Sequence, residues 1–168
     1  MDWINDAARQ FDITLQDHGP RIKLNGFDFL RAQRFGLGRV RRPRIAVGIR
    51  PVPAKGWPQE RWLRLCSMLC ENMKAGLVLA GKNSGFVFKA ALDLRGKLTD
   101  RQTAAMLSRC DLLIGGDMQM IDLAAAVETP AVQVCLNSWD RCSAQPGGTL
   151  VSVCPKTAED VIEAMKNF

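Results

Sequence analysis

Beyond Pro43 the apolar positions of the chain stop being scattered and gather into short, nearly continuous runs at Ile45 to Ile49, Leu77 to Ala80, Leu112 to Ile114, Ala131 to Cys135 and Leu150 to Val153. Runs of that length without strict alternation predict strands buried on both faces, as in a parallel sheet. A shorter piece at Ala91 to Leu94 predicts one more strand. Between the runs the spacing changes to that of helices. Pro58, at a first-turn position, opens a segment with Trp62, Leu65, Cys66, Leu69 and Met73 on one face. Thr99 and Gln102 have the spacing of a capping box ahead of Met106, Leu107 and Cys110. Thr157 caps a last helix whose stripe is Val161, Ile162, Met165 and Phe168. Strands alternating with helices at this spacing predict an α/β fold, an open doubly wound parallel sheet.

Ahead of Pro43 the pattern is weaker. Trp3, Ile4, Ala7, Ala8 and Phe11 predict a short amphipathic helix, and from Asp12 to Pro43 the periodicity fades among turn-forming residues such as His18-Gly19-Pro20 and Asn25-Gly26. That stretch is expected to run as an extended connection, so the chain divides into residues 1–43, a helix and an interdomain-like connection, and residues 44–168, the sheet domain.

The 168 residues, 47% apolar and 24% charged, suit one buried core. The acidic and basic residues near the N-terminus exclude a signal-peptide core, and no stretch is apolar for long enough to span a bilayer. Six cysteines, mostly inside apolar runs, point to reduced thiols and a cytoplasmic setting. The net charge of +6 is uneven, with seven arginines and no acid between Arg31 and Arg50. Such a run can be a solvated face, or can meet phosphate or an anionic membrane surface. Nucleic acid is disfavoured, because the run lacks aromatic interleaving beyond Phe35 and a recognition helix.

In a doubly wound sheet, ligands bind beyond the carboxyl ends of the strands. The loop after Ile49 carries Lys55 just before a helix, where a cation and free backbone N–H groups suit a phosphate; a surface lysine is the alternative. The loop after Ala80 offers Gly81, Lys82, Asn83, Ser84 and Gly85. The loop after Ile114 runs Gly115-Gly116-Asp117-Met118-Gln119-Met120-Ile121-Asp122. Its glycines would let a ligand approach the backbone, and Asp117 could accept from a ligand hydroxyl or cap the following helix. The loop from Leu136 to Gly148 specifies no chemistry. No catalytic residue, metal ligand set or cofactor is expected: Cys66 and Cys70 share an apolar helix face, the single histidine, His18, lies in the irregular N-terminal stretch, and no carboxylate pair is spaced for acid–base work.

Taken in order, Lys55-Gly56-Trp57-Pro58, Asp93-Leu94-Arg95-Gly96-Lys97-Leu98, Cys110 to Asp117, Leu123 to Ala126 and Thr129-Pro130-Ala131-Val132 resemble the C-terminal domain of glycosyltransferase family 9, the ADP-heptose:lipopolysaccharide heptosyltransferases. The resemblance covers roughly residues 40 to 168 and implies the Rossmann-like C-terminal half of a GT-B glycosyltransferase. It implies donor binding, with a nucleotide-diphosphate sugar, an ADP-sugar first among them, held by Lys55, Gly81, Asn83, Gly116, Asp117, Met118, Gln119 and Asp122. It also implies an acceptor-binding domain or partner chain, and work in lipopolysaccharide biosynthesis in the cytoplasm, peripheral to the inner membrane. The sequence departs from the family where Ser or Thr, Gly and His are usual after the aspartate; Met118, Gln119 and Asp122 stand there, removing a donor and adding negative charge. The alternative is a degenerate non-catalytic domain of the same fold that docks on a protein or an anionic surface.

Overall fold

The computed structural model describes residues 21–49, 57–135 and 150–168. The N-terminal helix expected at Trp3 to Phe11, His18, Lys55 and the loop from Leu136 to Gly148 lie outside them. Strands β1 (Arg44–Gly48), β2 (Gly76–Ala80), β3 (Leu92–Asp93), β4 (Leu112–Gly115), β5 (Ala131–Val134) and β6 (Leu150–Val153) match the expected runs to within one or two residues. They pair in parallel throughout, in the order β3-β2-β1-β4-β5-β6. Winding therefore reverses between β1 and β4, the place where such sheets open a crevice.

The helices are α1 (Gly26–Arg34), α2 (Gln59–Glu71), α3 (Asp100–Leu107), α4 (Met118–Ala126) and α5 (Ala158–Ala164). The nearly continuous strand runs are split by the two-residue period of a strand into two cores. Ile45, Val47, Leu77, Leu79, Ile114 and Val132 face α2 and α5, with Trp62, Leu65, Leu69 and Val161 against them. Ala46, Val78, Ala80 and Leu113 face the other way, toward Ala32 of α1, Met106 and Leu107 of α3, and Ile121 and Ala124 of α4.

On α2, Trp62, Leu65, Cys66 and Leu69 are buried as their spacing requires. Pro58 takes the N-cap position rather than the first turn, and Met73 lies past the helix end, 39% exposed. Trp57 packs edge-on against Trp62 with ring centroids 5.0 Å apart, and its indole N–H donates to the Pro155 carbonyl at 3.2 Å. The end of the β1–α2 loop is thereby tied to the β6–α5 connection. The expected capping box forms at Thr99 with Gln102, and the expected cap at Thr157 proves to be a capping box too, with Asp160. In α5 the expected stripe is only partly buried: Val161 is, but Phe168 is 46% exposed, because the helix tightens into a 3-10 turn at Met165–Asn167 and loses the 3.6-residue spacing.

The stretch expected as an extended connection folds instead, between Gly26 and Arg34, into α1. Asn25 caps it, accepting from the Phe27 and Asp28 N–H groups at 3.0 and 3.3 Å, while the Asp28 carboxylate accepts from the Asn25 N–H at 2.9 Å. Its period is hidden because the buried face is made of Asp28 and Ala32, whereas Phe27 and Leu30 point outward. Docking of that face is polar: Arg101 of α3 donates to both Asp28 oxygens at 3.2 and 2.9 Å, and to the Lys23 carbonyl at 2.8 Å. The Arg101 guanidinium holds the Asp28 carboxyl below the ordinary carboxylate range.

Part of the arginine run is spent inside the molecule, at the strand starts. Arg44 is buried and donates to the Arg109 and Val40 carbonyls, both at 2.9 Å. Arg41 reaches the Cys70 and Ala75 carbonyls at 3.3 Å, and Arg42 pairs with Asp111, whose other oxygen accepts from the Arg44 N–H at 2.7 Å.

At the opposite ends, β1 and β4 finish on facing glycines, Gly48 and Gly115. A Cβ on Gly115 would stand 2.5 Å from the Gly48 carbonyl oxygen, so neither strand can yield without breaking the pair. Gly115→Ala is expected to lower stability by about 1–3 kcal/mol in urea unfolding, the cost of forcing atoms into filled space. Gly38→Ala, where a Cβ meets nothing within 4 Å, should change it by less than about 0.5 kcal/mol. Asp28→Asn should lower the thermal midpoint at pH 7. Because the folded Asp28 titrates below its ordinary value of 3.8, its contribution is complete above that range and is lost as pH falls through the folded value. The gap between Asp28→Asn and the native chain should therefore close toward pH 3, and a gap that persists there would show that the ion pair is not what docks α1.

Candidate functional site

The crevice follows from the strand order. Since β1 lies between β2 and β4, the loops that leave β2 and β4 meet above its end. Gly81 leaves β2 with φ +91, a left-handed conformation that only glycine adopts without strain. Asp117 leaves β4 and comes so close that a Cβ on Gly81 would lie 3.5 Å from Asp117 Oδ2. The Gly116 N–H donates to the Gly48 carbonyl at 3.1 Å, which fixes where the β4 loop starts.

Of the expected residues, Gly81, Gly116 and Asp117 are thus brought together. Asp117 does cap α4: its Oδ1 accepts from the Gln119 N–H at 3.1 Å. Its carboxylate consequently sits at the positive end of the α4 dipole, the position an anionic ligand would otherwise take. Packing also accounts for the glycines expected to admit a ligand. A Cβ on Gly116 would stand 3.0 Å from the Val134 carbonyl oxygen, and Cβ atoms on Gly48 and Gly81 would meet the Met120 side chain at 3.2 and 3.4 Å. Met120, itself buried, fills the crevice floor.

The remaining residues diverge. Met118 turns toward the outer strands, where its sulfur accepts from Gln133 Nε2 at 3.3 Å, and the Gln133 oxygen accepts from the Ser152 hydroxyl at 2.8 Å. Gln119 turns to the other side and donates to Asp100 of α3 at 3.0 Å. Asn83 is exposed, its carbonyl oxygen accepting from the Gly85 N–H at 3.1 Å in a self-closed turn. Asp122 is exposed one turn into α4.

Sequence reasoning passed over the groups that hold this edge in shape. Arg95, with a side chain only 6% exposed, grips Asp93 through both carboxylate oxygens at 2.9 and 2.7 Å and donates to the Ser84 hydroxyl at 3.0 Å. That contact keeps the Asp93 carboxyl below its ordinary range and ties the β2 loop to β3. Alternating charge in Asp93-Leu94-Arg95 was the available signal. Gln133 stood out as a lone polar residue in an apolar strand, the mark of a buried group with hydrogen-bond partners. Among the described residues no group of histidines, cysteines and carboxylates could hold a metal ion. Burial pushes the thiols of Cys66 and Cys110 up to about 12, leaving them protonated and inert at neutral pH. No described helix is long and apolar enough to cross a membrane.

A family model, glycosyltransferase family 9 (heptosyltransferase), matches residues 6–138. No curated protein sequence matches. Among solved structures, the chain is similar to a glycosyl transferase family 9 protein from Veillonella parvula DSM 2008, with a TM-score of 0.75 and 18% identity over 96% of this chain and 57% of that one. It is similar to ADP-heptose lps heptosyltransferase II of E. coli, with a TM-score of 0.68 and 16% identity over 94% of this chain and 55% of that one. With E. coli heptosyltransferase WaaC, solved with ADP, the TM-score is 0.57 and the identity 16%, over 95% of this chain and 52% of that one. The chain thus spans little more than half the length of these structures, which share its fold. By the family match across most of its length, and with an open parallel sheet of the GT-B kind, this chain belongs to glycosyltransferase family 9, the heptosyltransferases.

Proposed function

We propose that this chain is the donor half of a heptosyltransferase-like enzyme, binding a nucleotide-diphosphate sugar in the crevice above β1. The observation that carries the reading is the meeting of the Gly81 and Asp117 loops at the winding reversal, in a chain that matches the family over residues 6–138. An ADP-sugar is the first candidate, since solved structures similar to this one are described with ADP and with ADP-2-deoxy-2-fluoro heptose. Sugar transfer leaves a nucleoside diphosphate, and charge building on it is stabilised by a fixed cation and backbone donors. Lys55 would supply the cation, and the crevice edge at Gly81, Asn83, Gly116 and Asp117 the walls. Residues 44–168 would form the donor-binding unit. The acceptor-binding half would come from another part of a longer chain or from a partner, with the assembly working in lipopolysaccharide synthesis at the cytoplasmic face of the membrane.

A second reading has its own support. Met118 and Gln119, which stand where the family usually has a hydroxyl and a glycine, are built into ties to β5 and α3, and Asp117 occupies the helix cap. A fold that has turned its ligand edge into internal contacts would serve as a docking module.

Titration calorimetry with ADP, UDP, GDP and their sugar conjugates separates the two. The donor reading expects saturable ADP binding that Lys55→Ala abolishes. Removing the negative charge that stands one turn into α4, where the family usually has a histidine, with Asp122→Asn should tighten it by about 3- to 10-fold, the scale of one exposed charge pair. Silence across the panel at millimolar concentration, even in the triple variant Met118→Ser, Gln119→Gly, Asp122→His, would leave the docking reading.

A further inference from the structure

A second concavity lies at the other end of the sheet, on the β3 side. Its volume is about 540 Å³, within the range of small-ligand sites, and its walls include the strand starts at Leu77 and Leu92 together with Val40 and Ala90. These residues open the strands, whereas Gly81 and Asp117 follow strand ends, so the cavity is separate from the donor crevice.

Its chemistry is apolar with a cationic rim. Arg39 and Arg41 both line it, and no carboxylate does. The near acid is Glu71, whose charge reaches the Cys70 thiol alongside that of Arg41. Arg41 is held in place by its bonds to the Cys70 and Ala75 carbonyls, which engage Nη2 alone. Phe35, also on the wall, has Lys97 Nζ at 5.5 Å and the Arg31 guanidinium at 5.8 Å from its ring centroid. Two cations therefore line a hollow whose other side chains offer little to a polar ligand, and two more stand near the ring of Phe35 on its wall.

We propose that this cavity binds an anionic amphiphile, a single carboxylate or phosphate on an apolar body of medium-chain acyl size, with the chain against Leu77, Ala90 and Leu92 and the head at Arg39 and Arg41. Burial of the chain supplies affinity, and the arginines supply the choice of charge. The site goes beyond donor binding and stands whether or not the crevice takes a nucleotide.

The test is calorimetry on the whole chain with decanoate and decyl phosphate, against decanol and decyltrimethylammonium as neutral and cationic probes of equal chain length. Saturable binding of the anions is expected, weaker by about 10-fold or more for the neutral and cationic probes, the scale of a charge-assisted hydrogen bond. The Arg39 side chain makes no hydrogen bond or ion pair among the described residues, its backbone N–H donating to the Gly36 carbonyl, and Ala90 is exposed, so neither substitution below removes a side-chain contact that holds the fold. Arg39→Gln should weaken the anions by about 10-fold and leave decanol unchanged, while Ala90→Trp should fill the hollow and abolish binding of every probe. Equal affinity for decanol and decanoate, binding that survives both substitutions, or no binding at millimolar concentration would each overturn the proposal. Preference between carboxylate and phosphate heads would then identify the source of the natural ligand.

Discussion

The close approach of β1 and β4 at Gly48 and Gly115 governs what the rest of the ligand edge can be, because a carbonyl oxygen stands 2.5 Å from where a Cβ on Gly115 would lie. Two strands that finish this tightly leave the β4 loop one direction to take, over the end of β1, and the Gly116 N–H locks its first step. Asp117 then meets Gly81 from the neighbouring loop, and Met120, on the first turn of α4, is pressed onto both glycine positions. Crevice, cap and floor all descend from one backbone contact. The same contact explains why glycines here serve packing first: a side chain at Gly48, Gly115 or Gly116 would crowd backbone or Met120, while Gly81 is required by its φ of +91.

The two ends of the sheet divide the electrostatic work differently. At the strand starts, cations are consumed by carbonyls and by Asp111: Arg41 staples the connection to the turn between α2 and β2, and Arg42 and Arg44 staple it and β1 to the turn before β4. A buried guanidinium is costly unless its donors are matched; Arg44 is matched at both terminal nitrogens, while its buried Nε has no hydrogen-bond partner among the described residues. At the strand ends, carboxylates prevail: Asp117 caps α4, Asp100 receives Gln119, and Asp93 is neutralised by Arg95. On the donor reading, affinity for a diphosphate at that edge would need a cation, the part proposed above for Lys55.

Much of the fold was legible because it rests on local periodicity and on capping chemistry that neighbours in sequence supply. Strands buried on both faces announce themselves as apolar runs, and the Thr99 and Gln102 pair and the Thr157 cap mark helix starts locally. Helix α1 escaped because its inward residues are Asp28 and Ala32 and its outward ones include Phe27 and Leu30, so its amphipathic signal is reversed. The Asn25 and Asp28 capping pair was present in the sequence, but the partner that makes Asp28 an inward residue, Arg101, lies far along the chain.

The sequence by itself determined the fold class, the positions of the strands, the family and the loops that follow the strand ends, since each follows from short-range patterns or from motifs in a fixed order. The tertiary structure alone decided which residues of those loops meet. Gly81 and Asp117 converge because β2 and β4 flank β1, an adjacency set by winding order. Met118 and Gln119, adjacent in the chain, part toward Gln133 and Asp100 because successive helical positions point about 100° apart, and long-range packing settles what each one finds.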